Sequence, residues 1–196
     1  MKQTQEGAPS TMLRRARSGD LEAFTAFVAG LSPTTSYRRF FTGVSHLPTA
    51  YATRLLRSGA TSGAWLAWDG DVVVGHGFWA AMGPDTAELA LVVADNAQGR
   101  GVGRALTTAA LADATAAGMR QLELVVQRDN RLVADLVSRR WPHRHTAVRD
   151  GLLVRHVTLQ PLLDGTSVPP QRIPHDPPNE RQSTGRGRII QTQSRR

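Results

Sequence analysis

Apolar positions along the chain change their period several times. A short strand over residues 12–17 comes first. Leu21, Phe24, Phe27, Val28 and Leu31 then recur three and four apart, the spacing of one helix face, with Ser18 or Asp20 able to cap its start. Pro33 opens a second short helix carrying Tyr37, Phe40 and Phe41 on one side, which predicts aromatic packing into a core. A third helix spans about residues 48–57, and Gly59 stops it. Strand patterns follow: residues 63–68 and 71–81 flank Asp69-Gly70, a two-residue hairpin signal, and residues 86–94 form a further strand after Gly83-Pro84-Asp85. Helical spacing returns over 101–117, where Leu106, Ala109, Ala110 and Ala117 make a small-residue packing face and Gly118 ends the element. Residues 122–126 read as a near-continuous apolar strand and 130–140 as a helix. A last strand pair over 144–159 turns at Asp150-Gly151. Antiparallel hairpins combined with a strand–helix–strand crossover predict an α/β (α+β) fold.

Composition bounds this picture. The chain has 196 residues, a length for one domain with a tail, and 40% apolar content fills a core. It has no cysteine, which excludes a thiolate nucleophile, disulfides and cysteine-based metal sites. No run reaches the roughly 18 apolar residues of a membrane helix, and the first residues lack the apolar segment of a secretory signal. The expected setting is the cytoplasm. Residues 1–10 are expected to be flexible, 11–160 to form the folded domain, and 161–196 to be a disordered Pro/Arg-rich tail.

The net charge of +8 invites a nucleic-acid reading. Residues 165–196 carry six Arg against Asp176 and Glu180, so half of the excess lies in the tail. That basic region has no aromatic side chains for stacking, and no recognition helix is evident. A nucleic-acid binder is therefore the weakest functional reading.

Chemistry concentrates in residues 88–104, ELALVVADNAQGRGVGR. A strand runs into a glycine-rich turn that opens directly into a helix. Glycines permit positive φ and close approach, so successive N–H groups can converge on one point. Unpaired N–H donors and the dipole at the helix start favour an anion such as a pyrophosphate, with Arg100 and Arg104 able to add charged hydrogen bonds. A Walker A loop would need Gly-Lys-Ser/Thr, and a dinucleotide fingerprint would need glycine at 104 or 106; both fail.

Gln98-Gly99-Arg100-Gly101-Val102-Gly103 resembles the Gln/Arg-x-x-Gly-x-Gly/Ala motif of the GNAT N-acetyltransferase superfamily. The element order over roughly residues 11–160 resembles that family as well. The resemblance implies a mixed, mostly antiparallel sheet of six to seven strands, splayed at the CoA site and flanked by about four helices. It implies acetyl-CoA as cosubstrate and no metal. Backbone groups of Leu91, Val92 and Val93 would meet the pantetheine arm, Gln98 would head the motif, and Gly99, Arg100, Gly101, Val102, Gly103 and Arg104 would cradle the pyrophosphate. Residues 31–41, LSPTTSYRRFF, resemble a Leu-Ser-Pro-x-x-x-Tyr-x-Arg-Phe-Phe segment of bacterial Pat-type protein lysine acetyltransferases.

Transfer to an amine needs a proton acceptor. Glu88 stands alone in an apolar strand, where burial would raise its pKa toward a useful range, and Pat-type enzymes place a catalytic Glu at the matching position. It would act directly or through water; the alternative is a strand carboxylate paired with an arginine. A backbone N–H in residues 91–93 would polarise the thioester carbonyl. No general acid is evident, because Leu136 or Val137 stands where many family members carry tyrosine and Trp141-Pro142 replaces Gly-Phe. Asn130 reads either as a cofactor contact or, with Asp129, as a helix cap. His46 and His76 are the remaining acid–base candidates. Pairing Ala80 with Ala87 would put His76 on the face opposite Glu88, and a one-residue slip would reverse this; a structural role is expected for it. His143 and His145 beside Arg144 read as a solvated basic patch. The leading expectation is direct acetyl transfer from acetyl-CoA to a primary amine, a protein lysine ahead of a small amine. The runner-up is a non-catalytic acetyl-CoA-sensing domain.

Overall fold

The computed structural model describes residues 11–43, 46–142, 145–159 and 171–172. Eight strands form one sheet in the order β6-β7-β5-β4-β3-β2-β1-β8. They are β1 (Met12–Arg15), β2 (Ser62–Asp69), β3 (Val72–Ala81), β4 (Thr86–Val93), β5 (Gln121–Gln127), β6 (His145–Arg149), β7 (Leu152–Thr158) and β8 (Gln171–Arg172). The first seven fit the expected sheet. The two-residue β8 pairs with Met12 and Leu13 from within the segment expected to carry no strand. The remaining tail, residues 1–10, His143 and Arg144 lie outside the described residues. Five α-helices are described, against the four or so implied: α1 (Leu21–Ala29), α2 (Pro33–Phe40), α3 (Thr49–Leu55), α4 (Val102–Ala116) and α5 (Arg131–Arg140). No helix among the described residues is long and apolar enough to cross a membrane.

The helices divide between the sheet's faces because each strand alternates its side chains between two cores. On one face Leu13, Trp79, Leu89, Leu91, Val93, Leu122 and Leu124 pack with Leu106, Ala109 and Ala110 of α4 and Val133 and Val137 of α5. On the other, Ala64, Leu66, Val73 and Val92 pack with Phe24 and Val28 of α1 and Ala52 and Leu55 of α3. Contact between α4 and β3 is so close that a Cβ at Gly75 would stand 2.9 Å from Leu106 Cδ1 and 3.0 Å from Val102 Cγ1. The missing Cβ atoms of Gly75 and Gly77 on β3 make this approach possible.

Two local expectations are corrected. The β2–β3 hairpin closes on an Asp69–Val72 pair, so Gly70 and Asp71 form its loop, and the register shifts between Ala67 and Trp68. Helix α2 starts as predicted, with Pro33 in its first turn and Ser32 Oγ accepting from Thr35 N–H at 3.2 Å. Its buried side, however, is Thr35, Ser36 and Arg39, while Tyr37 is 52% exposed. Spacing alone assigned all three aromatics to the core; Phe40 packs at its edge and Tyr37 does not, and the helix turns a polar stripe inward. That stripe lies against β4.

Candidate functional site

The site begins where the sheet comes apart. β4 and β5 are parallel neighbours, yet only Thr86, Ala87 and Glu88 pair with Gln121, Leu122 and Glu123. Beyond Glu88 the strands diverge: β4 stays with β3 as far as Val93, and β5 stays with β7 as far as Gln127. Ala94 N–H donates to Val74 O on the β3 side. The alternation of a ladder therefore turns the backbone of Val92 and Ala90 toward β3, and that of Leu91 and Val93 toward the gap. Gln98 Nε2 donates to Val93 O at 3.1 Å, holding the loop to the strand. Of the three expected backbone contacts, Leu91 and Val93 face the opening. Val92 borders the cavity there, but its side chain packs in the opposite core.

The glycine loop follows. Gly99 (φ +78°) and Gly101 (φ +81°) adopt left-handed backbone that costs other residues about 1–2 kcal/mol. Gly101 is the N-cap of α4 and no side chain caps the helix, so its first N–H groups are presented by backbone alone. A Cβ at Gly103 would meet only Val93 Cγ2, at 3.7 Å. Val102 is buried in the core. Arg100 Nη2 donates to Asp69 Oδ2 at 2.9 Å, which engages its guanidinium at the end of β2.

A cavity of about 610 Å³ joins the gap to this loop. Leu91, Val92, Val93, Gln98, Gly99, Gly101, Gly103 and Arg104 border it, whereas Glu88, Arg100, Val102 and Asn130 do not. Its far walls are Thr107, Thr108 and Leu111 of α4 and Val133, Leu136, Val137, Arg139 and Arg140 of α5, closed by Trp141. Of these, Leu136, Val137 and Trp141 were noted in the sequence only as departures from the family pattern, and Thr107, Thr108, Leu111, Val133, Arg139 and Arg140 were not singled out. Their signal is the three-and-four spacing of each helix, which the core-facing stripe obscured. The volume suits a small-molecule ligand, apolar beside β4 and cationic at Arg104, Arg139 and Arg140. Arg140 lies over the Trp141 ring at 5.3 Å. An acyl-bearing arm ending in phosphates fits that polarity, so the residues present fit acetyl-CoA. Asn130 caps α5, its Oδ1 accepting from Val133 N–H at 3.4 Å.

The opposite face carries the titratable groups. Glu88 is 8% exposed and pairs with Ala80, one residue from the expected register. The slip reverses a prediction: His76 pairs with Val92 and so shares the face of Glu88. Burial, with the nearby Arg39 charge, pushes the His76 pKa down to about 3, so the ring is neutral. His76 Nε2–H then donates to Leu55 O at 2.9 Å, and its ring packs 4.7 Å from that of Phe24. This is the structural role expected of it. Arg39, also buried, has its pKa lowered by desolvation, opposed by Tyr51 and Glu88. His46 forms no part of the cavity. Asp95, in the turn before the glycine loop, accepts from Ser32 N–H (3.3 Å), Ser32 Oγ (3.1 Å) and Thr35 Oγ1 (2.8 Å). The start of α2 is thereby tied to the cavity loop. No group of three or more His, Cys, Asp or Glu among the described residues could hold a metal ion.

Known proteins share this arrangement. Residues 32–140, more than half of the chain, match the family model described as acetyltransferase (GNAT) family. A mycothiol acetyltransferase of Geodermatophilus obscurus is 37% identical over 92 residues, covering 43% of this chain and 30% of its own length. The chain thus matches under a third of that curated relative. Among solved structures, the GNAT domain of S. lividans PAT superposes with a TM-score of 0.69 at 23% identity, over 75% of this chain and 89% of that one. A Salmonella typhimurium protein of acetyltransferase type, solved with acetyl-CoA, gives 0.60 at 16% identity, over 80% and 96%.

Proposed function

The chain belongs to the acetyltransferase (GNAT) family, and from that membership we propose that it transfers acetyl from acetyl-CoA to a primary amine, with Glu88 as the base and a protein lysine as the acceptor. The observation that carries this reading is the divergence of β4 from β5 immediately past Glu88. It opens the sheet beside Glu88, between the face that holds the cavity and the face that holds the carboxylate.

Bound acetyl-CoA supplies an acetyl group activated as a thioester. The N–H groups at the start of α4, with Gly99, Gly101 and Gly103 and the Arg104 side chain, bind its pyrophosphate. Arg100 contributes by fixing the loop through Asp69. The gap-facing N–H groups of Leu91 and Val93 orient the thioester and polarise its carbonyl. Glu88 takes a proton from the attacking amine, directly or through a water. Trp141, with Val137 and Leu136, walls the cavity and keeps water from it. The lysine assignment draws support from residues 31–41, whose helix lies against β4 on the Glu88 side. The curated relative's name points to a different acceptor, so a small amine is the competing substrate.

Thiol release from acetyl-CoA, followed with lysine peptides, intact proteins and small amines as acceptors, tests this. Wild type releases thiol with lysine acceptors, and Glu88→Gln lowers kcat by about 10²–10⁴ while CoA still binds. Release with small amines alone moves the acceptor to that class. Binding without release to any acceptor gives the chain a sensing role.

A further inference from the structure

Glu88 heads a row of titratable side chains that crosses the sheet. Its partner on β5 is Glu123, the β7 partner of Glu123 is His156, and the β6 partner of His156 is His145. Directly paired residues share a face. Leu122 and Leu124 point into the core under α4 and α5, and Arg155 Nη1 bonds Ala134 O and Ser138 Oγ of α5. Glu123 and His156 therefore point the other way, with Glu88. His156 Nε2 stands 3.8 Å from Glu123 Oε2, and the rings of His145 and His156 are 6.3 Å apart.

Exposure rises along the row. Glu88 is 8% exposed, the Glu123 side chain 20%, the His156 side chain 39%, and His145 lies at the surface. The row spans three interstrand spacings of about 4.8 Å each. Neither of the other nearby groups offers an equivalent path. His76 has no exposed surface and commits Nε2–H to Leu55 O, and Arg39 is a buried cation that has no site to accept a proton.

We infer that Glu123 and His156 form a proton exit, carrying to the surface at His145 the proton that Glu88 takes from the acceptor amine. The inference rests on the reading of Glu88 as the base. As the amine nitrogen forms its bond to the acetyl carbon, the thioester C–S bond breaks and CoA leaves as its thiolate, which takes a proton from water; the amine N–H bond breaks and an O–H bond forms on Glu88. That proton passes to a Glu123 oxygen, then to His156 Nε2, then to a solvent buffer base, and each side chain ends in the state it began. Glu123 and His156 touch no substrate; they are positioning residues that reset the base.

Glu123→Gln and His156→Gln in the full chain test this, with acetyl-CoA and the best acceptor found for wild type. At low buffer concentration, kcat falls about tenfold in each, while both KM values and the CoA affinity measured by calorimetry stay within about twofold of wild type. Added imidazole restores kcat in proportion to its concentration, and more basic buffers restore it more steeply. A structural role would not respond to buffer. Unchanged kcat at low buffer, or a loss that no buffer restores, overturns the exit. If Glu88→Gln retains full activity, the assignment of the base fails and the exit with it. If Glu88→Gln is inactive while both row variants match wild type, only the exit fails.

Discussion

The two faces of the sheet solve recognition differently. On the α4/α5 face the cavity meets backbone N–H groups after Gly101 and the gap-facing amides of Leu91 and Val93, beside apolar and arginine side chains of α4 and α5. On the α1–α3 face the polar groups are buried side chains: Glu88, Arg39 and a neutral His76, with Arg39 Nε and His76 Nδ1 lacking hydrogen-bond partners. Backbone recognition is generic, since any sequence that allows the turn supplies the same donors. Side-chain recognition is particular, and buried polar atoms without partners are costly. The face that presents backbone donors is therefore the more uniform one, and the face of buried polar side chains the more particular.

Gly103→Glu breaks the first half of the comparison hardest. It sets a carboxylate against the loop, and CoA affinity falls about 100-fold or more, close to 2.7 kcal/mol, in titration calorimetry. Gly103→Ala stays within about twofold, because its Cβ has room beside Val93. Equal affinity in Gly103→Glu would separate the cavity from CoA. Next in size is Asp95→Ala, which removes the tie between the faces. The loss of acceptors at the start of α2 costs about 1–2 kcal/mol in chemical denaturation, and CoA affinity weakens with it.

A pH-dependent effect sharpens the second face. The folded state holds His76 near a pKa of 3, against about 6.5 unfolded. Below pH 6.5 the unfolded chain takes up a proton that the folded chain refuses. Stability from this group is thus complete above 6.5 and declines by up to about 1.4 kcal/mol per pH unit as pH falls toward 3. His76→Gln removes that slope between pH 7 and 5, as read from denaturation midpoints. The hydrogen-bonded pair Arg14–Asp20 lowers the Asp20 pKa below its ordinary value of 3.8, so its contribution is lost only at more acid pH.

The same contrast explains what was legible beforehand. The glycine loop announces itself because Gly99 and Gly101 sit at positive φ, a demand that sequence records directly. Glu88 was visible as a lone charge in an apolar strand. The β3–β4 register was not, since alternation in that hairpin tolerates a slip by one, and that slip decides the face of His76. The inward turn of Thr35, Ser36 and Arg39 was hidden too. Aromatic residues normally win the core, and only α2's placement against β4, with Ser32 and Thr35 tied to Asp95, turns the polar stripe inward. The helix-borne cavity walls, Thr107 and Arg140 among them, needed the crossing of α4 and α5 to meet.

The parting of β4 and β5 also makes two edges inside a sheet. An unpaired edge ordinarily invites another strand, and proteins cover or close it. Here Gln98 covers one carbonyl, at Val93, and the amides of Leu91 and Val93 are left for an extended arm that carries amides of its own. An occupant of this kind completes the ladder as a surrogate strand. Any ligand that binds there only in the folded state stabilises the chain by mass action, about 2.7 kcal/mol at a hundred times its Kd, so the protein's melting point rises with ligand concentration.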